Sequence, residues 1–267
     1  MKRGLYLAGA VVVAIAGVVN TTVLADDERD GNAACKGLPT HAELKAALET
    51  ARAQNNGGFN LDMWGTVVNR DGIVCAVAFT GDNRGDQWPG SRVISAQKAN
   101  TANAFSLPGL ALSTANLYSA VQPGGSLFGL QESNPVDTAV AYGGNPRNYG
   151  QASDPMEGRR IGGVNVFGGG LALYAPGGAL IGAVGVSGDS SCADHNIAWR
   201  TRNNLSLDYV PKPPNDASAI SGDHHRPDNI VYDITPQPGQ MPGVSASGWG
   251  HPLCGLTETG VTLPQVK

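Results

Sequence analysis

The sequence predicts an α+β domain in which helices cover both faces of an antiparallel sheet. Two hairpin signals support this prediction. Arg70-Asp71-Gly72 separates the strand-like residues 61–69 and 73–79, and Asp-Gly is the strongest short hairpin signal. Pro176-Gly177-Gly178 separates the apolar residues 164–174 and 179–187 in the same way. Residues 73–79 are apolar on both alternating sets, so both faces of the sheet should be covered.

Four helices are expected around this sheet. Thr40 and Glu43 have the spacing of a capping box, which predicts that the first helix begins there. Residues 91–105 predict a helix with a face of small side chains, and residues 113–121 a shorter one that stops at Pro123. Ser190 or Ser191 is expected to cap the last helix.

Glycine is concentrated in the second hairpin, where Gly168, Gly169 and Gly170 are followed by Gly182 and Gly185. Glycine weakens the interior of a strand, so its presence indicates that something approaches the backbone closely. Either a packed helix or a flat ligand explains the pattern, and helix packing is the more usual use of glycine.

The first residues predict export. Lys2 and Arg3 precede an apolar segment at residues 5–19, and Val23-Leu24-Ala25 offers small residues for cleavage after Ala25. We therefore expect a signal peptide at residues 1–25 and a periplasmic or extracellular protein, with an uncleaved anchor as the alternative. No later stretch reaches the roughly 20 apolar residues of a membrane span.

The remaining chain is expected to have three parts. Residues 26–39 are interpreted as a leader, and residues 40–207 as the domain. Within the domain, residues 132–162 form a polar insertion loop of a length typical of functional or disordered segments. Residues 208–267 contain nine of the seventeen prolines. We expect this C-terminal extension to lie over the domain, because it has too little apolar surface for its own core.

The charge argues against one class of partner, and the cysteine content predicts disulfides. The formal net charge is -4 and the basic residues are scattered, so a nucleic-acid partner is not expected. The four cysteines are Cys35, Cys75, Cys192 and Cys254. An even number in an exported chain favours disulfides, with three connectivities open. We favour a Cys35–Cys254 bridge, because it would tie both extensions to the core.

Five blocks of sequence resemble one family. They are VVNRDG at 67–72, SAQKANTANAF at 95–105, PGGSLFGL at 123–130, FGGGLAL at 167–173 and GAVGVSG at 182–188. In this order they resemble the GlcG/HbpS-like haem-binding family, which includes the C-terminal domain of PduO-type corrinoid adenosyltransferases. The resemblance covers about residues 41–206.

The resemblance implies a profilin-like, three-layer α/β/α domain with a five-stranded antiparallel sheet, assembled into a homo-oligomer. It also implies haem binding, in some members for extracellular haem sensing or storage. This chain departs from the family pattern in a longer loop after the second strand, in the insertion at 132–162, and in Asp194-His195, where the family has Asp-Glu.

Haem requires a flat apolar slot and usually an axial ligand from His, Cys, Met or Tyr. His195, beside Asp194 and close after the glycine-rich strand, is the candidate iron ligand; the alternative is an exposed histidine at a helix start. Lys98 either faces a ligand carboxylate or extends to solvent. Gly168, Gly169, Gly170 and Ser187 complete the predicted cofactor-binding set. The cofactor would be haem b without covalent attachment, because Cys-x-x-Cys-His is absent.

Other metal-binding and catalytic motifs have little support in the sequence. His224 and His225 form a candidate metal site or, alternatively, a solvated loop, and His41 and His251 are interpreted as structural. Residues 185–189 fail the Gly-x-Ser-x-Gly pattern because Asp189 replaces the second glycine. The sequence has neither a phosphate-binding Gly-Lys-Ser/Thr loop nor His-Glu-x-x-His. No catalytic residues are predicted.

The leading hypothesis is an exported, haem-binding protein for haem sensing, storage or scavenging. Two alternatives stay open. The first is an enzyme or enzyme accessory that acts on a small organic acid or a tetrapyrrole-like cofactor in the same slot. The second is a ligand-free, oligomeric structural protein, which a sheet face filled by side chains would support.

Overall fold

A computed structural model describes Met1 and residues 33–216, 219–237 and 240–267. The predicted signal peptide lies outside the described residues, apart from Met1, as do residues 26–32 of the leader. Among the described helices, none has the length and apolar character needed to cross a membrane.

The elements are described here in chain order. They are α1 (His41–Arg52), β1 (Trp64–Asn69), β2 (Val74–Phe79), α2 (Ser91–Phe105), α3 (Thr138–Tyr142), β3 (Gly170–Ala175), β4 (Ala179–Ser187), α4 (Ser191–Asn204), β5 (Ile234–Gln237) and β6 (Gln240–Ser245). Short 3-10 helices cover Ser119–Val121, Pro146–Asn148 and Glu258–Gly260.

The main sheet is antiparallel and has the strand order β2-β1-β4-β3. Both predicted hairpins are present in it, β1–β2 and β3–β4. The described sheet has four strands, not the five that the resemblance implies. Along the outer edge of β2, Arg160 forms only an isolated bridge with Ile73, and β5 and β6 pair with each other instead of joining the sheet.

Helices cover both faces of the sheet, as predicted. On one face, Leu44 and Leu48 of α1 and Ile197 of α4 pack against Val67 and Val184. On the other face, Ala96, Ala99 and Ala102 of α2 belong to the same buried cluster as Val68 and Ala183. The alternation of Val67 and Val68 between the two clusters follows from the two-residue period of a strand.

The capping box that predicted α1 is present. The backbone N–H of Thr40 donates to Glu43 Oε2 at 2.8 Å, and the N–H of Glu43 donates to Thr40 Oγ1 at 3.3 Å. Ser190 caps α4 by accepting from the N–H of Ala193 at 3.3 Å. These bonds satisfy amides that the helices themselves leave without acceptors.

Gly185 shows why β4 contains glycine. A Cβ at this position would collide with the carbonyl oxygen of Ser95 and the backbone nitrogen of Ala99 on α2. Gly182 likewise faces the carbonyl oxygen of Val68 on β1. At Gly185 glycine permits close packing of a helix, which is the first of the two explanations considered from sequence, whereas at Gly182 the close neighbour is a strand.

The predicted helix at residues 113–121 is wrong, because its only helical part is the 3-10 helix Ser119–Val121. Local side-chain bonds compete with the helix at its start. Both the backbone N–H and the hydroxyl of Ser113 donate to Asn116 Oδ1, at 3.0 and 2.8 Å. The hydroxyl of Thr114 donates to the carbonyl oxygen of Phe167.

The insertion at residues 132–162 is ordered and contributes to the core. Asp137 caps α3, and Val140, Met156 and Ile161 are buried beside α2. The guanidinium of Arg92 forms a buried ion pair with Asp154 and donates to the carbonyl oxygen of Ala141 at 2.8 Å. The insertion therefore covers the outer side of α2.

The favoured Cys35–Cys254 bridge is wrong. The disulfides join Cys35 to Cys75 and Cys192 to Cys254. Cys75 lies on β2 and Cys192 in the first turn of α4, so each terminal segment is tied separately to the nearest core element. The spacing of the cysteines along the sequence does not indicate which of them lie close together in the fold.

The C-terminal extension contacts α4. The guanidinium of Arg202 forms a buried ion pair with Asp228 at 2.6 Å, and Trp199 Nε1 donates to the carbonyl oxygen of Pro264 at 3.0 Å. Leu263 and Val266 belong to the same buried cluster as Ile197. The extension thus supplies core side chains that its composition did not indicate.

Candidate functional site

The predicted site residues meet where β4 turns into α4, but two of them satisfy each other. Lys98 Nζ lies 2.7 Å from Asp194 Oδ2, and both side chains are at most 3% exposed. Lys98 also donates to the carbonyl oxygen of Val186 at 3.2 Å. Asp194 Oδ1 accepts from the backbone N–H groups of Gly188 and Asp189 at 3.1 and 2.9 Å. Lys98 therefore does not extend to solvent, and its charge is already paired within the protein.

Burial dominates the electrostatics of this pair. Burial raises the pKa of Asp194 to about 6, although the Lys98 ammonium opposes that rise. Ser187, the last residue of β4, donates to the hydroxyl oxygen of Ser91 at 3.1 Å. These contacts join α2, β4 and α4 into one rigid corner.

The three successive glycines are covered by helices and side chains. A Cβ at Gly168 would collide with the carbonyl oxygen of Ser191, and one at Gly170 with the carbonyl oxygen of Lys98. At Gly169, where φ is +121°, a Cβ would lie 3.1 Å from both Asp194 Cβ and Lys98 Nζ. The close approach that these glycines predicted is therefore made by packed helices and their side chains, the first of the two explanations considered from sequence.

His195 is fully buried, so the alternative of an exposed helix-start histidine is also wrong. Its Nε2 lies 3.2 Å from Asn229 Oδ1 in the C-terminal extension. Because an amide oxygen only accepts, Nε2 carries the proton, and Nδ1 has no partner among the described residues. Burial lowers the pKa of His195 to about 3, so the imidazole is neutral.

These residues do not fit a haem. The extension covers His195, the glycines contact helices, and the Lys98 ammonium is paired. A porphyrin needs a flat apolar slot beside its axial ligand, and the packing around His195 leaves no such slot among the described residues.

Open clefts lie elsewhere on the surface. One of about 700 Å³ separates the start of α1 from the end of α4. It has apolar walls that include Leu38, Ala47 and Leu207, and it contains the carboxylate of Glu43.

A second cleft, of about 640 Å³, lies at the ends of β1 and β2, and we call it the strand-end cleft. It is lined by Trp64, Phe79, Asp82, Asn83, Arg84, Gly85, Pro89, Arg147 and Gln151.

The floor of the strand-end cleft is set by the β1–β2 register. Trp64 and Phe79 are cross-strand partners, and their rings meet edge to face with centroids 5.2 Å apart. Gly150 has a φ of +74°, and a Cβ there would collide with both rings. Trp64 is 2% and Phe79 7% exposed, so little of either ring is open to the cleft.

Its walls carry unpaired positive charge. Arg84 and Arg147 are exposed, and in the part of the chain that the structure describes neither guanidinium forms an ion pair. Asp82 is the single acidic residue in the lining. Two guanidinium groups against one carboxylate favour an anionic ligand.

Sequence reasoning missed this cleft. Arg84 lies in the longer loop after the second strand, and Arg147 lies in the insertion. The usable signal was the Asp71-Gly72 turn, because the register that it sets places Trp64 opposite Phe79.

The other histidines have structural contacts. His41 Nε2 lies 2.9 Å from the carbonyl oxygen of Gly150 behind the strand-end cleft. The candidate metal site at His224 brings an imidazole close to the carboxylates of Asp216 and Asp223. However, His224 bonds to Asp216, and Asp223 pairs with Arg226 at 2.9 Å. These three groups are thus already paired, whereas Nδ1 of His225, the other histidine of the predicted site, has no hydrogen-bond partner among the described residues.

Much of this chain is similar to known proteins. The family model described as "Haem degrading protein HbpS-like" matches residues 40–202. Among solved structures, the PduOC–haem complex is 25% identical over 61% of this chain and 89% of that chain, with a TM-score of 0.42. Protein ORFY of Klebsiella pneumoniae is 27% identical over 63% and 90%, also with a TM-score of 0.42.

A double mutant of HbpS from Streptomyces reticuli is 18% identical over 73% of this chain and 97% of that chain, with a TM-score of 0.39. No curated protein gives a significant match. Because the family model covers more than half of the sequence, the chain belongs to the HbpS-like family.

Proposed function

We propose that this protein binds haem non-covalently and that the porphyrin occupies the strand-end cleft instead of the surface beside His195. The observation that supports this choice most is the pair of unpaired guanidinium groups, Arg84 and Arg147, in a cleft of about 640 Å³.

Charge distinguishes this cleft from the larger one. Haem b is an apolar ring with two propionate groups, and arginine binds carboxylates with two parallel N–H···O bonds. The strand-end cleft is lined by two arginines and one aspartate, whereas the cleft at α1 is lined by Glu43 and, among the described residues, by no arginine or lysine. A dianionic porphyrin is therefore favoured at the strand ends.

The iron is not the main determinant of this proposed binding. Among the described residues that line the cleft there is no His, Cys, Met or Tyr, which are the usual axial ligands. His41 lies behind Gly150 and contacts its carbonyl oxygen. When bound, haem would supply an iron centre for redox or oxygen chemistry, while Arg84 and Arg147 would hold the propionates.

The cellular role that we propose is extracytoplasmic haem sensing, storage or scavenging, in an oligomer. Two disulfides support an oxidising compartment. The family description names haem degradation, so a catalytic role is tested in the same experiment.

The test is a titration of the purified protein with haemin and, separately, with iron-free protoporphyrin IX. We expect a shifted Soret band for haemin and quenched tryptophan fluorescence for both ligands, with similar affinities. A haemin spectrum identical to that of free haemin would overturn haem binding. A preference of more than about tenfold, or 1.4 kcal/mol, for the iron-containing ligand would contradict the proposed cleft. Loss of the Soret band with time under reductant and air would reveal degradation.

One rival is supported by a specific observation. Side chains and helices fill both faces of the sheet, as expected of a ligand-free structural protein. Failure of both ligands to bind would favour that function.

A further inference from the structure

The Cys192–Cys254 disulfide lies among other groups that bind metals. The two Sγ atoms and a carboxylate oxygen of Glu258 all lie within 4.8 Å of one another. Glu258 is only 4% exposed. Its Oε1 accepts from the backbone N–H groups of Cys254 and Gly255 at 2.7 and 3.1 Å, and its Oε2 accepts from that of Leu256 at 2.9 Å, which fixes the carboxylate beside the sulfur.

A buried imidazole lies beside this group, separated from Cys254 Sγ by the Ser191 hydroxyl. His251 is 1% exposed, and its Nδ1 lies 2.7 Å from the carbonyl oxygen of Pro252. Because a carbonyl only accepts, Nδ1 carries the proton and Nε2 keeps its lone pair. Nε2 accepts from the hydroxyl of Ser191 at 3.2 Å, and that hydroxyl oxygen is 3.6 Å from Cys254 Sγ.

The orientation of His251 matches that of a metal ligand. Metal-bound histidines usually donate their other N–H to a carbonyl or carboxylate, which fixes the tautomer and the ring. In this structure the carbonyl oxygen of Pro252 accepts the N–H of His251. Two sulfurs and one carboxylate lie together, and the imidazole nitrogen, by displacing the Ser191 hydroxyl, would complete a four-coordinate set of the kind that zinc prefers.

We propose that reduction of the Cys192–Cys254 disulfide creates a site for a divalent transition metal such as zinc, bound by Cys192, Cys254, His251 and Glu258. A dithiol transfers two electrons and two protons to the disulfide and becomes a cyclic disulfide itself. The metal then displaces the two thiol protons and binds two thiolates. In either state the cluster holds the C-terminal extension to α4, by a covalent bond or by the metal.

The second disulfide provides an internal control. Around Cys35 and Cys75 no comparable group of His, Asp or Glu donors lies among the described residues. The test uses the full chain as a Cys35→Ser/Cys75→Ser variant, which keeps only the two cysteines of the proposed site. A phosphine reductant, removed before metal is added, leaves no small thiol to compete.

Cobalt(II) is the probe, because its thiolate complexes absorb in the near ultraviolet. We expect one cobalt per chain after reduction, thiolate-to-cobalt absorption, release by zinc, and no such band in the oxidised protein. His251→Ala should weaken cobalt binding by at least roughly 10–100-fold, the range seen even for outer-shell partners. His41→Ala, which removes another histidine bonded to a backbone carbonyl, should leave it unchanged.

Absence of the thiolate band in the reduced chain overturns the proposal, and so does equal binding by the His251→Ala variant. If His251→Ala fails to fold, His251→Gln keeps the side-chain volume and is measured in its place. Haemin plays no part in this experiment, so its outcome is independent of the proposed haem function.

Discussion

Lys98→Met tests whether the predicted site is in fact a structural ion pair. The substitution keeps an unbranched side chain of similar length but removes the charge that faces Asp194 at 2.7 Å. Both partners are at most 3% exposed. Removal of one partner of such a pair leaves an uncompensated buried charge, which typically costs about 3–5 kcal/mol. We therefore expect the free energy of unfolding to fall by about 3–5 kcal/mol.

The assay is urea unfolding, read from the midpoint with an unchanged slope. Lys45→Met is the matched control, because Lys45 forms a 2.8 Å pair with Glu49 in which the side chains are 37% and 46% exposed. An exposed pair contributes about 0–1 kcal/mol. The double variant Lys98→Met/Asp194→Asn should recover most of the loss, since asparagine still accepts from the N–H groups of Gly188 and Asp189. Equal effects of Lys98→Met and Lys45→Met would refute the reasoning.

Three further predictions follow from the packing. Replacement of Cys192 and Cys254 by serine opens a loop with a sequence separation of 62. The free energy of unfolding, measured by denaturant titration without reductant, should fall by about 4 kcal/mol. A change below about 1 kcal/mol would contradict a stabilising role for this disulfide. Burial lowers the pKa of His195 to about 3, so its neutral imidazole contributes fully to the free energy of unfolding above the unfolded pKa of 6.5, and this contribution is lost as pH falls. His195→Gln should therefore flatten the acid side of the stability–pH curve by up to about 1.4 kcal/mol per pH unit. An unchanged slope would show that the imidazole titrates normally. Gly185→Ala should displace α2 from the sheet and lower stability by about 1–3 kcal/mol, whereas Gly109→Ala, which meets nothing within 4 Å, should change it little.

The parts of the fold that local chemistry determines were predictable. The Thr40–Glu43 capping box, the Asp71-Gly72 turn and the Ser190 cap each act within a few residues, and each is present. The helix at 91–105 has the predicted bounds. In these cases the sequence window contains both partners of the interaction.

The parts that depend on distant partners were not predictable. Cys192 and Cys254 are 62 residues apart, and Lys98 and Asp194 are 96 apart. Nothing in the spacing of these residues indicates that they meet. The same holds for Asn229, which covers His195 from the C-terminal extension.

The glycines of the predicted haem site have a physical explanation that sequence could not resolve. Glycines predict a close approach to the backbone, and the close approach at Gly168–Gly170 exists. The approaching groups are the backbones of α2 and α4 and not a ligand. Only the three-dimensional packing distinguishes these two uses of glycine.

The most direct test of the central claim compares haemin affinity among three variants. If Arg84 and Arg147 hold the propionates, each exposed contact contributes about 1 kcal/mol, and Arg84→Ala/Arg147→Ala should weaken binding by roughly 30-fold. His195→Gln and the surface control Arg159→Ala should bind haemin like the unaltered protein. Unchanged affinity in the double arginine variant, together with its loss in His195→Gln, would contradict the proposed cleft and restore the site at His195.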